Sequence, residues 1–175
     1  VYGVAVRGSR SWATIHPGFL SAYTSYGAKD FDGKLHATMN SAPAVEMTNL
    51  WVKMIKNGGP RNWSQYTWYD CGSDLGAGKA AMMYDADNLT YSQAQGTKEA
   101  GNIATAAFSA NPNVTTPTSN VWIWSLAMSS FSNNKDAAWQ FIQWATGKKH
   151  LLWSSINRGM VDPIRQSVVS SSEYQ

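Results

Sequence analysis

The sequence predicts an α/β fold, and three observations carry that prediction. Short apolar or β-branched runs at 2–7, 80–84, 102–108 and 121–128 read as strands. Apolar residues at helical spacing fill much of the chain between and after them, most clearly at 41–57 and 133–146. Clusters of Gly, Pro, Asn and Thr punctuate the joins, so helices and strands alternate.

Each element has a local reason. The run YGVAVR (2–7) is ended by Gly8. Trp12, His16, Phe19, Leu20 and Tyr23 then recur at helical spacing, with Pro17 tolerable near a first turn and an end expected by Gly27. Residues 28–39 alternate loosely around Asp32-Gly33, a hairpin signal. In 41–57, Ser41 or Asn40 can cap and Pro43 suits the first turn. Met47, Leu50, Trp51, Met54 and Ile55 form one apolar stripe there, and Gly58-Gly59-Pro60 stops the helix. The polar, aromatic stretch 61–70 reads as loop, with a short helix from about Ser73. AAMMY (80–84) is a buried strand, and Asp85-Ala86-Asp87-Asn88 is the turn leaving its carboxyl end. Residues 109–120 are loop. Asn133-Asn134 caps a helix through Thr146, with Asp136 at its start and Gly147-Lys148-Lys149 closing it in the sign its dipole prefers. A second short helix follows to Ser155, then a connector (159–168) and a loose Ser-rich tail. Roughly five strands with long connections is thin for one domain that also carries several helices.

Composition excludes several classes. A compact chain of 175 residues buries roughly 70% of its unfolded surface, enough for a core. With 43% hydrophobic and 14% charged residues it is not disordered. No apolar run reaches the roughly 18 residues of a membrane helix. The net charge of +3 and the pI of about 9.0 come from few acids, with basic residues scattered singly, which argues against a nucleic-acid partner. The one cysteine, Cys71, rules out an internal disulfide and a Cys-based zinc site. The nine tryptophans are a surplus, because each buried indole N–H wants a partner, and some are expected in clefts as stacking surfaces.

Motif tests remove more. Gly76-Ala77-Gly78-Lys79 resembles the end of a phosphate loop, but Ser73 stands where the first Gly belongs and Ala80 where Ser or Thr belongs. His16, His36 and His150 lack ligand spacing, so no metal and no cofactor are expected. Asp85 and Asp87 stay open three ways: an acid–base pair for glycoside cleavage, the cap of a turn, or acceptors for sugar hydroxyls.

A series of segments, weak singly and specific in order, resembles the periplasmic (extracellular) solute-binding proteins of ABC importers, in the family that takes sugars, oligosaccharides and sugar alcohols. Gly3-Val4-Ala5-Val6-Arg7-Gly8 is similar to that family's strand into the ligand cleft. Tyr26-Gly27 with Phe31-Asp32 matches its aromatic-Gly-Gly…Asp hairpin, with Ala28 in place of the second Gly. Ser41-Ala42-Pro43 opens the helix where the family usually has an acid next, here Ala44. Gly78-Lys79-Ala80-Ala81-Met82, the helix 132–142 (SNNKDAAWQFI) and the segment 159–168 (GMVDPIRQSV) complete the series.

The resemblance implies a type II periplasmic-binding-protein-like fold, two lobes joined by a hinge, only partly represented because such proteins are roughly twice this length. By that analogy residues 1–106 belong mostly to the second lobe, 107–158 to the first, and 159–175 return. It places Trp12 and His16, Asp85 and Asp87, and Trp122 and Trp124 at cleft edges, with Arg165 near the hinge. Within that set His16 is expected as a donor, Asp85 and Asp87 as hydroxyl acceptors and Trp124 as a stacking platform, while a structural ion-pair role stays open for Arg7 and Arg165. The implied function is not enzymatic: capture of a sugar or polyol by hinge closure and delivery, as a monomer, to the membrane permease subunits. The implied location is periplasmic or extracellular, with lipid anchoring at an N-terminus before Val1 left open. A carbohydrate-active hydrolase using Asp85 and Asp87, and a lectin-like module with a rigid one-lobe site, are the competing readings.

Overall fold

Tyr2–Ala5 (β1) and Ala80–Met83 (β2) pair in parallel, with Tyr2 opposite Ala80, Val4 opposite Met82 and Ala5 opposite Met83. The computed structural model that gives this pairing describes residues 1–10, 16–86, 96–107, 111–114, 117–158 and 162–175. Between the strands run a π-helical turn, His16–Leu20, leading into α1 (Ser21–Ser25), then α2 (Ala42–Gly58), a 3-10 turn (Trp63–Gln65) and α3 (Trp68–Gly76). After β2 come α4 (Lys135–Ala145), α5 (Lys148–Arg158) and α6 (Gln166–Val169). The chain divides into two compact units, Val1–Val121 and Trp122–Gln175. No helix among the described residues is long and apolar enough to cross a membrane.

The strand period explains the layering of the first unit. Successive residues of β1 face opposite sides. Val4 and Val6 turn to a core shared with Ala22, Tyr23, Ala44, Met47 and Trp51, so α1 and α2 cover that side. Ala5 turns the other way and packs with Cys71 of α3 and Ala80. Helices on both faces of a parallel pair define the α/β class.

Several expectations are corrected. Residues 102–107 and 121–128 carry no regular secondary structure, because a run of strand-like residues becomes a strand only where an edge pairs with it, and none of the described residues does. Residue 108 lies outside the description. The hairpin at 28–39 reduces to one antiparallel bridge, Phe31 with Ala37. α3 starts at Trp68 rather than near Ser73, because Thr67 and Asp70 form a reciprocal capping box. Leu50 is exposed while Met47 and Trp51 are buried, so the α2 stripe is narrower than its spacing implied. Lys148 and Lys149 open α5 instead of closing α4, where the dipole does not favour them. The Gly78-Lys79 motif is a helix-to-strand turn: Gly78 has φ +71°, and an added Cβ there would meet Glu99 Oε1 at 2.5 Å.

At the amino end of β1 a buried carboxylate gathers three donors. Tyr2 and Tyr66 hydroxyls donate to Asp74 Oδ2 at 2.8 and 2.6 Å, and Lys79 Nζ donates to Oδ1 at 3.2 Å. Burial works to raise the Asp74 pKa, but the bonds from Tyr66, Tyr2 and Lys79 outweigh it and hold it below the ordinary value. Burial, with the same bonds, raises the two tyrosines. The unfolded chain therefore binds more protons at this site, and the stabilisation is present above an unfolded Asp pKa of about 3.9 and lost as pH falls through the lower folded value. Asp74→Asn should cost about 2 kcal/mol at pH 7. The gap to the natural chain should close as pH drops below about 4, a trend that urea midpoints across pH would read.

In the second unit, the α4–α5 corner carries an aromatic row. Phe141 and Trp144 centroids lie 5.7 Å apart, Trp144 and His150 4.2 Å, and His150 and Trp153 6.3 Å, with the Arg158 guanidinium 5.6 Å from the Trp153 ring.

Candidate functional site

The register that sets Ala5 against Met83 also sets Arg7 against Asp85, two residues further along each strand and on the same face. Arg7 Nε donates to Asp85 Oδ2 at 2.7 Å, and Arg7 Nη2 donates to Oδ1, a bidentate ion pair at the carboxyl ends of both strands. The side chains are 8% and 0% exposed. Asp85 Oδ1 also accepts the Ala86 amide at 2.7 Å, which fixes the chain as it leaves β2.

Residues 63–68 close over this pair. The guanidinium of Arg7 lies 5.3 Å from the centroid of the Trp68 ring, a cation–π contact on the face that α3 covers. Trp63 Nε1 donates to the Arg7 carbonyl at 3.1 Å, and the Tyr66 carbonyl accepts the amides of Gly8 and Ser9, both at 3.0 Å. Beneath them Cys71 is buried, and burial, then the Asp85 charge, pushes its thiol up to about 12, so it is a packing residue and not a nucleophile. On the opposite face a cavity of about 850 Å³ runs along α2 and β2, lined by Met47, Trp51, Met54, Met82 and Tyr84 and reaching Asp85.

The predicted site residues fall in the first unit, in the second, or outside the described residues. Trp12 and Asp87 lie outside the described residues, as does the side chain of His16, whose backbone opens the π-helical turn. Asp85 has guanidinium donors on both oxygens. In the second unit, Trp122 and Trp124 lie side by side with centroids 6.3 Å apart and rings inclined at 55°, and Trp124 is 80% exposed. Arg165 Nε donates to the Thr146 carbonyl at 2.6 Å, at the carboxyl end of α4 where a cation is favoured. Sequence reasoning passed over Trp63 and Trp68. The signal that could have placed them is Thr67-x-x-Asp70, a capping-box spacing that starts a helix at Trp68.

A helix-covered parallel sheet with polar and aromatic side chains gathered at its strand ends is the architecture of a ligand-binding α/β protein. The chain belongs to the bacterial extracellular solute-binding protein family, whose profile matches residues 2–150. That is a family of transport binding proteins rather than enzymes. The chain is 44% identical over 176 residues to the erythritol/L-threitol-binding protein of Mycolicibacterium smegmatis, covering 98% of this chain and 37% of that one. Two solved structures show the same fold. Maltose-bound MalE3 of T. maritima matches with a TM-score of 0.89 at 21% identity, over 99% of this chain and 45% of that one. A solute-binding protein from Agrobacterium vitis with bound D-mannitol matches with a TM-score of 0.81 at 25% identity, over 99% and 43%. The present chain therefore spans less than half the length of each, and its fold is the type II periplasmic binding fold in part.

Proposed function

We propose that the whole protein is the substrate-binding component of an ABC importer, working on the outer side of the cell membrane and capturing a sugar alcohol or sugar for a membrane permease. The observation that carries this reading is the 44% identity to an erythritol/L-threitol-binding protein along 98% of the chain. The chemistry agrees with it. A polyol presents hydroxyls and weakly apolar C–H faces, and is recognised by charge-assisted hydrogen bonds and aromatic faces together. Capture requires tighter binding in the closed state than in the open one, which contacts from both lobes of the whole protein supply. In this reading residues 1–106 belong mostly to the second lobe, 107–158 to the first, and 159–175 return, with Trp12, His16, Asp87, Trp122 and Trp124 as ligand contacts. Asp85 and Arg165 act through the protein groups they hold.

The test is a tryptophan-fluorescence titration of the protein at its natural length with erythritol, L-threitol, D-mannitol and maltose, repeated by calorimetry. Saturable binding of a neutral polyol or sugar is expected, with Trp124→Ala weakening it at least tenfold, about 1.4 kcal/mol. No binding of any of the four by either method would overturn the proposal.

A further inference from the structure

We propose that Ser21 and Ser25 are positioning residues for ligand binding: from α1 they clasp the last stretch of the first unit, from which the chain runs on into Trp122 and Trp124. The inference rests on the polyol-binding reading above, in which those two indoles touch the ligand, and adds what holds the chain that leads to them.

Side chains stitch α1 to the stretch 111–120. Ser25 Oγ donates to the Thr118 carbonyl and accepts the Thr118 amide, both at 2.9 Å. Ser21 Oγ accepts the Asn120 amide at 3.2 Å. Beyond the end of α1, Asn111 Nδ2 donates to the carbonyl of the capping residue Tyr26, also at 3.2 Å. The spacing explains the match. Positions 21 and 25 lie on one side of a helix, about 6 Å apart along its axis. Two residues of extended chain advance about 6.7 Å, so the two hydroxyls reach 120 and 118 in opposite order. A hydroxyl both donates and accepts, so Ser25 serves Thr118 as a neighbouring strand would. Pro117 has no amide to offer, which makes Thr118 the first donor after it. Ser21 and Ser25 are 8% and 1% exposed, and a buried hydroxyl is costly unless it is bonded. Thr118 and Asn120 are themselves exposed, so water can take over their groups if the serines are lost. Removing the hydroxyls therefore loosens the stretch without stranding a buried polar group. One residue past Asn120 the first unit ends, and Trp122 opens the second. Indoles carried by an anchored chain have less freedom to lose when a ligand binds, which is preorganisation.

The experiment uses the protein at its natural length, as the natural chain, as Ser21→Ala/Ser25→Ala and as Thr24→Val. Thr24 is the control, because its hydroxyl donates to the Leu20 and Ser21 carbonyls of its own helical turn. Its loss perturbs α1 and leaves the clasp alone. Amide hydrogen exchange read by NMR should show Thr118 and Asn120 exchanging about tenfold faster in the double variant, with the amides of α2 unchanged. Fluorescence titration with erythritol, L-threitol, D-mannitol and maltose should show the double variant binding about tenfold more weakly. Thr24→Val should stay within about twofold of the natural chain. Equal affinity of the natural chain and a folded double variant would overturn the proposal. So would a loss in Thr24→Val as large as that in the double variant, or Thr118 and Asn120 amides that are unprotected in the natural chain. Where the double variant does not fold, Ser21→Ala alone is read in the same way, at the Asn120 amide and in the titration. A natural chain that binds none of the four ligands would instead strike the polyol-binding reading, because the exchange rates report the clasp without ligand.

Discussion

Asp85→Ala is expected to lose about 3–5 kcal/mol of stability, a large share of the 5–15 kcal/mol that holds an ordinary domain. The loss comes from what is left behind. Arg7 is 8% exposed and held against Trp68, so removing the carboxylate takes the bidentate partner from a charge that water scarcely reaches. Arg7→Met alone should be similarly harmful, since it strands a carboxylate that is 0% exposed. The double change Arg7→Met/Asp85→Ala removes both charges and should recover most of the loss, because a buried pair replaced as a pair is often close to neutral. Urea unfolding of the three variants forms a double-mutant cycle. A coupling energy below about 1 kcal/mol would show that the two buried side chains do not stabilise each other.

That pair also marks the limit of what the sequence could show. β1, β2 and α2 were legible because their signals are local: a β-branched run closed by a glycine, an apolar run entered through Gly78, and an apolar stripe stopped by Gly58-Gly59-Pro60. Arg7 and Asp85 stand 78 residues apart, and nothing near either one names the other. Only the parallel register brings them together, so the sequence could assign Asp85 a hydroxyl-acceptor role and hold open an ion-pair role for Arg7 without naming its partner. Residues 121–128 failed in the opposite way. Their composition states a capacity for pairing, and a strand forms only if a neighbour uses it. Trp122 and Trp124 keep the same-side placement that a strand would give, with rings 6.3 Å apart, yet they stand on irregular backbone. The capping box at Thr67 and Asp70 is a local signal, and it is hidden because the polar, aromatic stretch 61–70 around it reads as loop.

Gly8→Ala is expected to cost about 3 kcal/mol, a large effect for a single methyl group. An added Cβ at Gly8 would lie 2.3 Å from the Trp63 carbonyl oxygen and 2.5 Å from its ring. A ring can turn aside, but the carbonyl is backbone, and it already accepts the Tyr66 amide at 2.9 Å. Making room therefore moves 63–66, and with it the Tyr66 carbonyl that receives the Gly8 and Ser9 amides and the indole N–H that caps the Arg7 carbonyl. Damage at Gly8 should thus reach the Arg7–Asp85 pair through its roof, appearing as a lower urea midpoint and a red-shifted tryptophan emission. Gly33→Ala is the control: nothing lies within 4 Å of its Cβ position, so a change within about 0.5 kcal/mol is expected. The decisive comparison is Gly8→Ala in a Trp63→Phe background. If the ring were the obstacle, the smaller side chain would relieve most of the cost. Because the nearest atom is the carbonyl, at least half of the destabilisation should persist there, and its disappearance would assign the clash to the ring instead.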